Sequence, residues 1–303
     1  MMGCSVHPRG LFAQAVETEE NTNSMIKLNV IGCGRVGITL AALLQREGLC
    51  QVQHLYSKTA ASAHDAARFI GAGTVVNQLA DMQPATVWML SVPDSQVVMV
   101  AQALAALSPR HPQPPVVFHC SGFLSANSLS ALQNLGWHAA SAHPVLNFAN
   151  PAQCVNQFQG VPCGLEGDAP ATTLLQALLT GIGGQCFPVP SEAKPLYHAA
   201  AVFSSNFMAV LQALAREAWQ EAGVPESLIP SIHQSLLQGS VQNLLALGPA
   251  KAITGPAARG DTEVVNAQAS VVTQWHPEAG EIYKRMSLLA RRLATTGSTA
   301  ENG

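Results

Sequence analysis

The sequence predicts an α/β domain built on a parallel sheet, followed by an all-α domain. Three observations carry this. Short apolar runs alternate with helical periodicity up to about residue 190; a glycine-rich turn joins the first run to the first helix; and beyond Pro190 the spacing is helical throughout, broken near Gly223, Gly248, Gly255 and Pro277. The first run, KLNVI from Lys27, ends at Gly32, and residues 38–46 repeat apolar side chains at helical spacing, which reads as strand, turn, helix. Further strands are expected at 52–56, 86–92, 116–119 and 138–142, with a helix at 95–107. Weaker runs at 161–165 and 186–189 flank a helix over 169–182 and extend the sheet. One long helical pattern, 192–222, then opens the second domain. The expected division is a tail at 1–24, a dinucleotide-binding domain at 25–190, a helical substrate and dimerisation domain at 191–295 and a tail at 296–303.

Composition narrows the function. The chain has 303 residues with only 15 Lys+Arg and 18 Asp+Glu, 11% charged where soluble domains average about 25%. A folded monomer of this mass exposes roughly 12,000 Å², so charge is sparse on its surface. Residues 111–165 and 227–250 carry no Asp, Glu, Lys or Arg at all. Such stretches line a core, a cleft or a subunit interface. The net charge of −3 offers no basic field for nucleic acid. Although 48% of residues are hydrophobic, no run approaches the ~20 consecutive apolar residues of a membrane span. Seven cysteines without a Cys-x-x-Cys pair or metal-ligand spacing, and an acidic N-terminal segment without an apolar core, point to the cytoplasm.

Gly32-Cys33-Gly34-Arg35-Val36-Gly37 fits the dinucleotide fingerprint of a Rossmann domain, with a strand before it and a helix after. Gly32 permits the tight turn, Gly34 lets a pyrophosphate approach the backbone, and Gly37 allows close helix–strand packing, while the helix N-terminus offers free N–H groups to the anion. At the end of the second strand, NAD binders place a carboxylate against the ribose 2′-hydroxyl. Here that end reads Tyr56-Ser57-Lys58-Thr59, without one. A lysine between two hydroxyls suits a 2′-phosphate, with Arg35 in reach of the adenine side, so NADP(H) is expected; otherwise Lys58 is an ordinary solvated residue. Val92-Pro93-Asp94 closes the 86–92 strand on the ligand edge. Its peptide would pass beneath the nicotinamide or ribose, and Asp94 either serves that site or caps the next helix.

Two polar islands interrupt the uncharged stretch: His119-Cys120-Ser121-Gly122 and Ala142-His143-Pro144, each following a strand. Ser121 and His143 can hold a carboxylate or carbonyl without adding charge; alternatively Ser121 caps a helix and His119 is a satisfied core histidine. Lys194 and His198 share one face of the long helix at i, i+4, the coherent acid–base pair. Ser205 and Asn206 stand about 16 Å further along the axis and serve a more distant substrate group or packing. Arg259 either forks onto a substrate carboxylate or pairs with Asp261.

Taken in order, KLNVIGCGRVG, YSKT, SVPD, HCSG, AHP, KPLYHAA and TGPAARGD resemble the bacterial family of Rossmann-like proteins with a C-terminal helical domain of unknown function. More distantly the chain is similar to ketopantoate reductase, pyrroline-5-carboxylate reductase and the 6-phosphogluconate dehydrogenase group. The resemblance implies dimerisation through the helical domain and hydride transfer from a nicotinamide. Lys194 would match the acid lysine of ketopantoate reductases, although His198 stands where those enzymes carry Asn and no counterpart of their later catalytic Glu is present. The expectation is an NADPH-dependent reductase of a small 2-oxo acid, with Lys194 as acid and Ser121, His143, Asn206 and Arg259 on the substrate. An imine reductase and a non-catalytic NADP-binding sensor are the competing readings.

Overall fold

The apolar runs assemble into one eight-stranded sheet. Its strands are β1 (Lys27–Ile31), β2 (Gln51–Tyr56), β3 (Thr74–Val75), β4 (Val87–Leu90), β5 (Val116–His119), β6 (His138–Pro144), β7 (Pro162–Gly167) and β8 (Gln185–Pro188). They lie in the order β3-β2-β1-β4-β5-β6-β7-β8, parallel throughout except for β6 with β7. The computed structural model describes residues 25–107, 111 and 113–301, so the expected tail at 1–24, with Cys4, lies outside the described residues.

A parallel sheet covered on both faces demands strands apolar on both sides, and β4 is buried at all four positions. Val87 and Met89 join the core formed with helices α1 (Arg35–Arg46), α2 (Ala60–Ile70) and, later in the chain, 169–181. Trp88 and Leu90 join the opposite core, against α3 (Asp94–Leu107) and the short α4 (Ser130–Gln133). The uncharged stretch thus supplies buried strands: β5 is buried at every position, and residues 139–142 of β6 are too. Two further helices complete the layers, α5 (Pro151–Gln157), capped by the Asn150 side chain, and α6 (Ala169–Gly181).

Three expected elements differ in ways that shape the site, and α2, β3, α4 and α5 have no counterpart among the expected elements. The 86–92 strand stops at Leu90: a last ladder bond, from the Ser91 N–H to the Ile31 carbonyl (2.8 Å), is followed by the turn into α3 at Asp94. The 138–142 strand runs on to Pro144, because β7 returns antiparallel and pairs with residues 140–144 beyond the reach of β5. The long helix is interrupted at Ser205 (φ −128°, ψ −63°), giving α7 (Lys194–Ser204) and α8 (Asn206–Glu221).

The chain divides into one unit up to Ala200 and another from Ala201, ten residues later than the expected boundary. The reason lies in α7, whose Lys194 and Tyr197 hydrogen-bond to residues at the ends of β5 and β6. In the second unit α8 packs on α9 (Ile229–Leu247) through Trp219 and His233, whose ring centroids are 4.8 Å apart. The short α10 (Pro249–Ala252) and α11 (Pro256–Arg259) lead into α12 (Thr262–Trp275) and α13 (Pro277–Thr296). Residues 297–301, expected as tail, fold back on α13: Arg292 donates to the Thr299 carbonyl (2.8 Å) and pairs with Glu301 (2.6 Å).

By length and composition the helical run Ser191–Glu221 would suffice to cross a membrane. Ser205 kinks it into helices of 11 and 16 residues, with the Ser205 N–H still donating to the Ala201 carbonyl (3.1 Å).

Candidate functional site

The glycine turn shows why each of its glycines is glycine. Gly32 has φ +95°, and a Cβ there would strike the Ser91 carbonyl. A Cβ on Gly37 would come within 2.7 Å of the Gly32 carbonyl and 2.8 Å of Ser91 Cβ. Both positions let α1 pack hard against β1 and the end of β4. Gly34 differs: it is exposed, and a Cβ would meet only the Ser91 carbonyl, at 3.8 Å. Gly34 also stands at the N-cap of α1 with no side chain capping the helix, so the free N–H groups of Arg35, Val36 and Gly37 are left for an anion. The turn sits where β1 and β4 are neighbours and the strand order reverses, the place where open α/β sheets bind ligands.

Around it lie the remaining cofactor candidates. Cys33 is half-buried, its thiol donating to the Tyr56 carbonyl at 3.7 Å and its pKa pushed up to about 11 by burial. Ser57 is half-buried and Lys58 exposed. Thr59 has local work, its hydroxyl accepting the Ser62 N–H at the start of α2. Val92 is half-buried; Pro93 and Asp94 are exposed.

At the end of β5 the polar groups are already engaged with one another. His119 is wholly buried; its Nδ1 accepts the Ser121 N–H (3.2 Å), which leaves Nε2 to donate to the Ser125 carbonyl (3.1 Å). It is a satisfied core histidine, held below its usual pKa chiefly by burial. The Ser121 hydroxyl donates to Asp94 (2.8 Å) and accepts the N–H groups of Phe123 and Leu124 (3.1 and 2.9 Å). Its single proton is committed to Asp94, so Ser121 binds the start of α3 to the β5 loop.

Lys194, at the start of α7, is 1% exposed. Its ammonium donates to the Ser121 carbonyl (3.1 Å) and to the Ser141 hydroxyl (2.5 Å), and that hydroxyl donates in turn to the Ser121 carbonyl (3.1 Å). Burial lowers the lysine pKa, opposed by the carboxylates of Glu166 and Asp94. Ser121 and Ser141 therefore orient Lys194. His198, expected beside it, packs edge-on against His143 with centroids 5.6 Å apart. His143, within β6, has its Nδ1 2.8 Å from the Tyr197 hydroxyl. Burial, with the charges of His198 and Lys194, pushes its pKa down to about 4. His198 Nδ1 is buried and, among the described residues, has no hydrogen-bond partner.

The structure thus gathers Asp94, Ser121, His143, Lys194 and His198 at the ends of β4, β5, β6 and the start of α7. Arg259 and Asn206 belong to the second unit. Arg259 forks onto Asp261 through Nε and Nη2 (3.2 and 3.0 Å), and Asn206 accepts from the Ser205 hydroxyl (2.8 Å). Sequence reasoning missed Ser141, Glu166 and Tyr197, and gave Gly122, within the 119–122 island, no role of its own. Tyr197 was within view, adjacent to His198 in KPLYH; Ser141 was hidden inside a strand. Glu166, 8% exposed, accepts the Ala126 N–H (2.8 Å) and the Ser191 hydroxyl (2.6 Å), closing the loop that leads to α7. Among the described residues no cluster of His, Cys, Asp or Glu is placed to hold a metal.

Residues 13–144 match the family model of a Rossmann-like domain, and residues 161–290 that of a domain of unknown function, DUF2520. No curated protein matches the chain. Among solved structures it is similar to a Bacteroides fragilis protein designated an NADP oxidoreductase (TM-score 0.72, 23% identity, 88% of this chain and 98% of that one). A Thermotoga maritima protein follows (0.69, 26%, 89% and 99%), as does 1-pyrroline-5-carboxylate reductase of Streptococcus pyogenes (0.58, 14%, 87% and 98%). These likenesses establish the two-part fold along nearly the whole chain.

Proposed function

Because this chain belongs to the family that joins a Rossmann-like domain to the DUF2520 domain, we propose that it is an NADPH-dependent oxidoreductase that reduces the carbonyl of a small 2-oxo acid. The observation that carries the reading is the open face of Gly34, at an uncapped helix N-terminus on the same sheet edge as Lys194 and His143. The turn from Gly32 to Gly37 would hold the pyrophosphate; Ser57, Lys58 and Arg35 favour a 2′-phosphate, since no carboxylate stands at the end of β2. Val92, Pro93 and Asp94 would border the nicotinamide. Bound there, the nicotinamide supplies the hydride.

The chain's own residues supply the rest. An ammonium has three N–H donors, and Ser121 and Ser141 take two of Lys194's; the third is the proton offered to the substrate oxygen. Its lowered pKa makes the lysine a readier acid near neutrality. His143, uncharged at neutral pH, is the hydrogen-bonding partner for a substrate oxygen. The resemblance to a pyrroline-5-carboxylate reductase keeps a cyclic imine acid as the second reading. The second unit adds support for a homodimer. Its α9 exposes Leu236 (59%), Leu244 (46%) and Leu245 (84%), and α12 exposes Val271 (64%), apolar side chains that a second copy of the chain would cover.

The test is NADPH and NADH oxidation with a panel of 2-oxo acids, ketopantoate included, and cyclic imine acids. Turnover of a 2-oxo acid with preference for NADPH is the expected result. Tight NADPH binding without turnover anywhere in the panel would instead make this a sensor.

A further inference from the structure

His143 is held between Tyr197 on one edge and Gly122 on the other. The Tyr197 hydroxyl lies 2.8 Å from its Nδ1, with the two rings edge-on at 87° and 5.5 Å between centroids. Gly164, the register partner of His143 across the antiparallel β6–β7 pair, makes the room for that hydroxyl: a Cβ there would come within 2.8 Å of Tyr197 Oη. On the opposite edge, a Cβ on Gly122 would come within 2.9 Å of His143 Cε1 and Nε2 and within 2.5 Å of His198 Nδ1. Two glycines thus clear the space in which an imidazole and a phenol meet, and neither is needed by the glycine turn. Tyr197 plays no part in the chemistry proposed above.

The direction of the bond follows from elementary acidity. A phenol is the stronger donor and an imidazole nitrogen the stronger acceptor, so the Tyr197 O–H donates to Nδ1. The neutral imidazole then carries its one proton on Nε2. We propose that Tyr197 is a positioning residue that locks His143 as the neutral Nε2–H tautomer, and so selects substrates offering a bare acceptor oxygen, a carbonyl or carboxylate, at that nitrogen. A protonated imine nitrogen has no lone pair for such a donor, so an imine acid could engage that nitrogen only through its carboxylate. The inference rests on the oxidoreductase reading for its substrate class, but not for the tautomer.

The two parts are tested separately. With 15N-histidine-labelled protein, a long-range 1H–15N spectrum at neutral pH distinguishes the tautomers, with His143→Gln assigning the signal. The wild type is expected to show His143 in the Nε2–H form alone and Tyr197→Phe a mixture of both. A wild-type ring protonated on Nδ1, or a tautomer unchanged in Tyr197→Phe, overturns the proposal whether or not any substrate has been found. Should Tyr197→Phe fold poorly, the wild-type spectrum still decides. For a 2-oxo acid turned over by the enzyme, Tyr197→Phe should raise KM roughly 10-fold, one hydrogen bond's worth, with kcat and NADPH affinity within about twofold. A fall in kcat at constant KM would assign the pair to the chemical step and overturn the selective role.

Discussion

His143 shows how a single side chain in this protein is defined by its neighbours. Alone it would titrate near 6.5; here burial, His198 and Lys194 together bring it to about 4. Folding therefore withholds a proton that the unfolded chain binds between those two values, and the native state loses stability as pH falls through that window and levels off below about 4. Denaturant titrations from pH 7 to 4 should show a loss on the order of 2 kcal/mol from this partly exposed ring. In His143→Gln that part of the slope should vanish while the smaller contribution of buried His119 persists; equal slopes in both proteins would mean that His143 is not held neutral.

At the scale of elements, the first strand–turn–helix unit separates two uses of glycine. Gly37 is demanded by packing, since its Cβ would press on the Gly32 carbonyl and Ser91; Gly34 is not, since its Cβ would meet ordinary van der Waals distance. Gly37→Ala should then cost roughly 1–3 kcal/mol of stability, the range for forcing a methyl into a packed site. Gly34→Ala should unfold at nearly the wild-type midpoint yet bind NADPH at least ~10-fold more weakly, because the methyl stands where the backbone must admit the pyrophosphate. Calorimetry with and without NADPH separates the two, and a Gly34→Ala protein that binds normally would remove the turn from the cofactor site. The start of α7 makes a comparable point: Lys194 at its N-terminus is oriented by a carbonyl from the loop after β5 and a hydroxyl from β6, which is why the start of this helix belongs to the α/β unit.

At the scale of the whole molecule, the scarcity of charge takes two forms. In the first unit the uncharged stretch supplies the buried strand β5 and the buried middle of β6; in the second it contains α9 (Ile229–Leu247), whose Leu236, Leu244 and Leu245 face solvent. A second copy of the chain covering them is the expected arrangement. Sedimentation should give twice the chain mass, and the double change Leu236→Glu, Leu245→Glu should shift it to one chain without unfolding the α/β unit. A wild type that sediments as one chain at micromolar concentration would require another partner for that helix.

What the sequence determined by itself was whatever local periodicity encodes: the alternation of strands and helices, the glycine turn and the absence of a carboxylate after β2. These depend on residues a few positions apart. It could not reveal that β7 runs antiparallel, because the direction of pairing is set between segments twenty residues apart, and that reversal is what carries β6 on to His143 and sets Gly164 opposite it. Nor could it reveal that Lys194 answers to Ser121 and Ser141, 73 and 53 residues away, in preference to the histidine one helical turn along. Helical spacing shows which side chains share a face; only tertiary packing decides which polar groups leave water together, and a buried ammonium must take the acceptors it finds there.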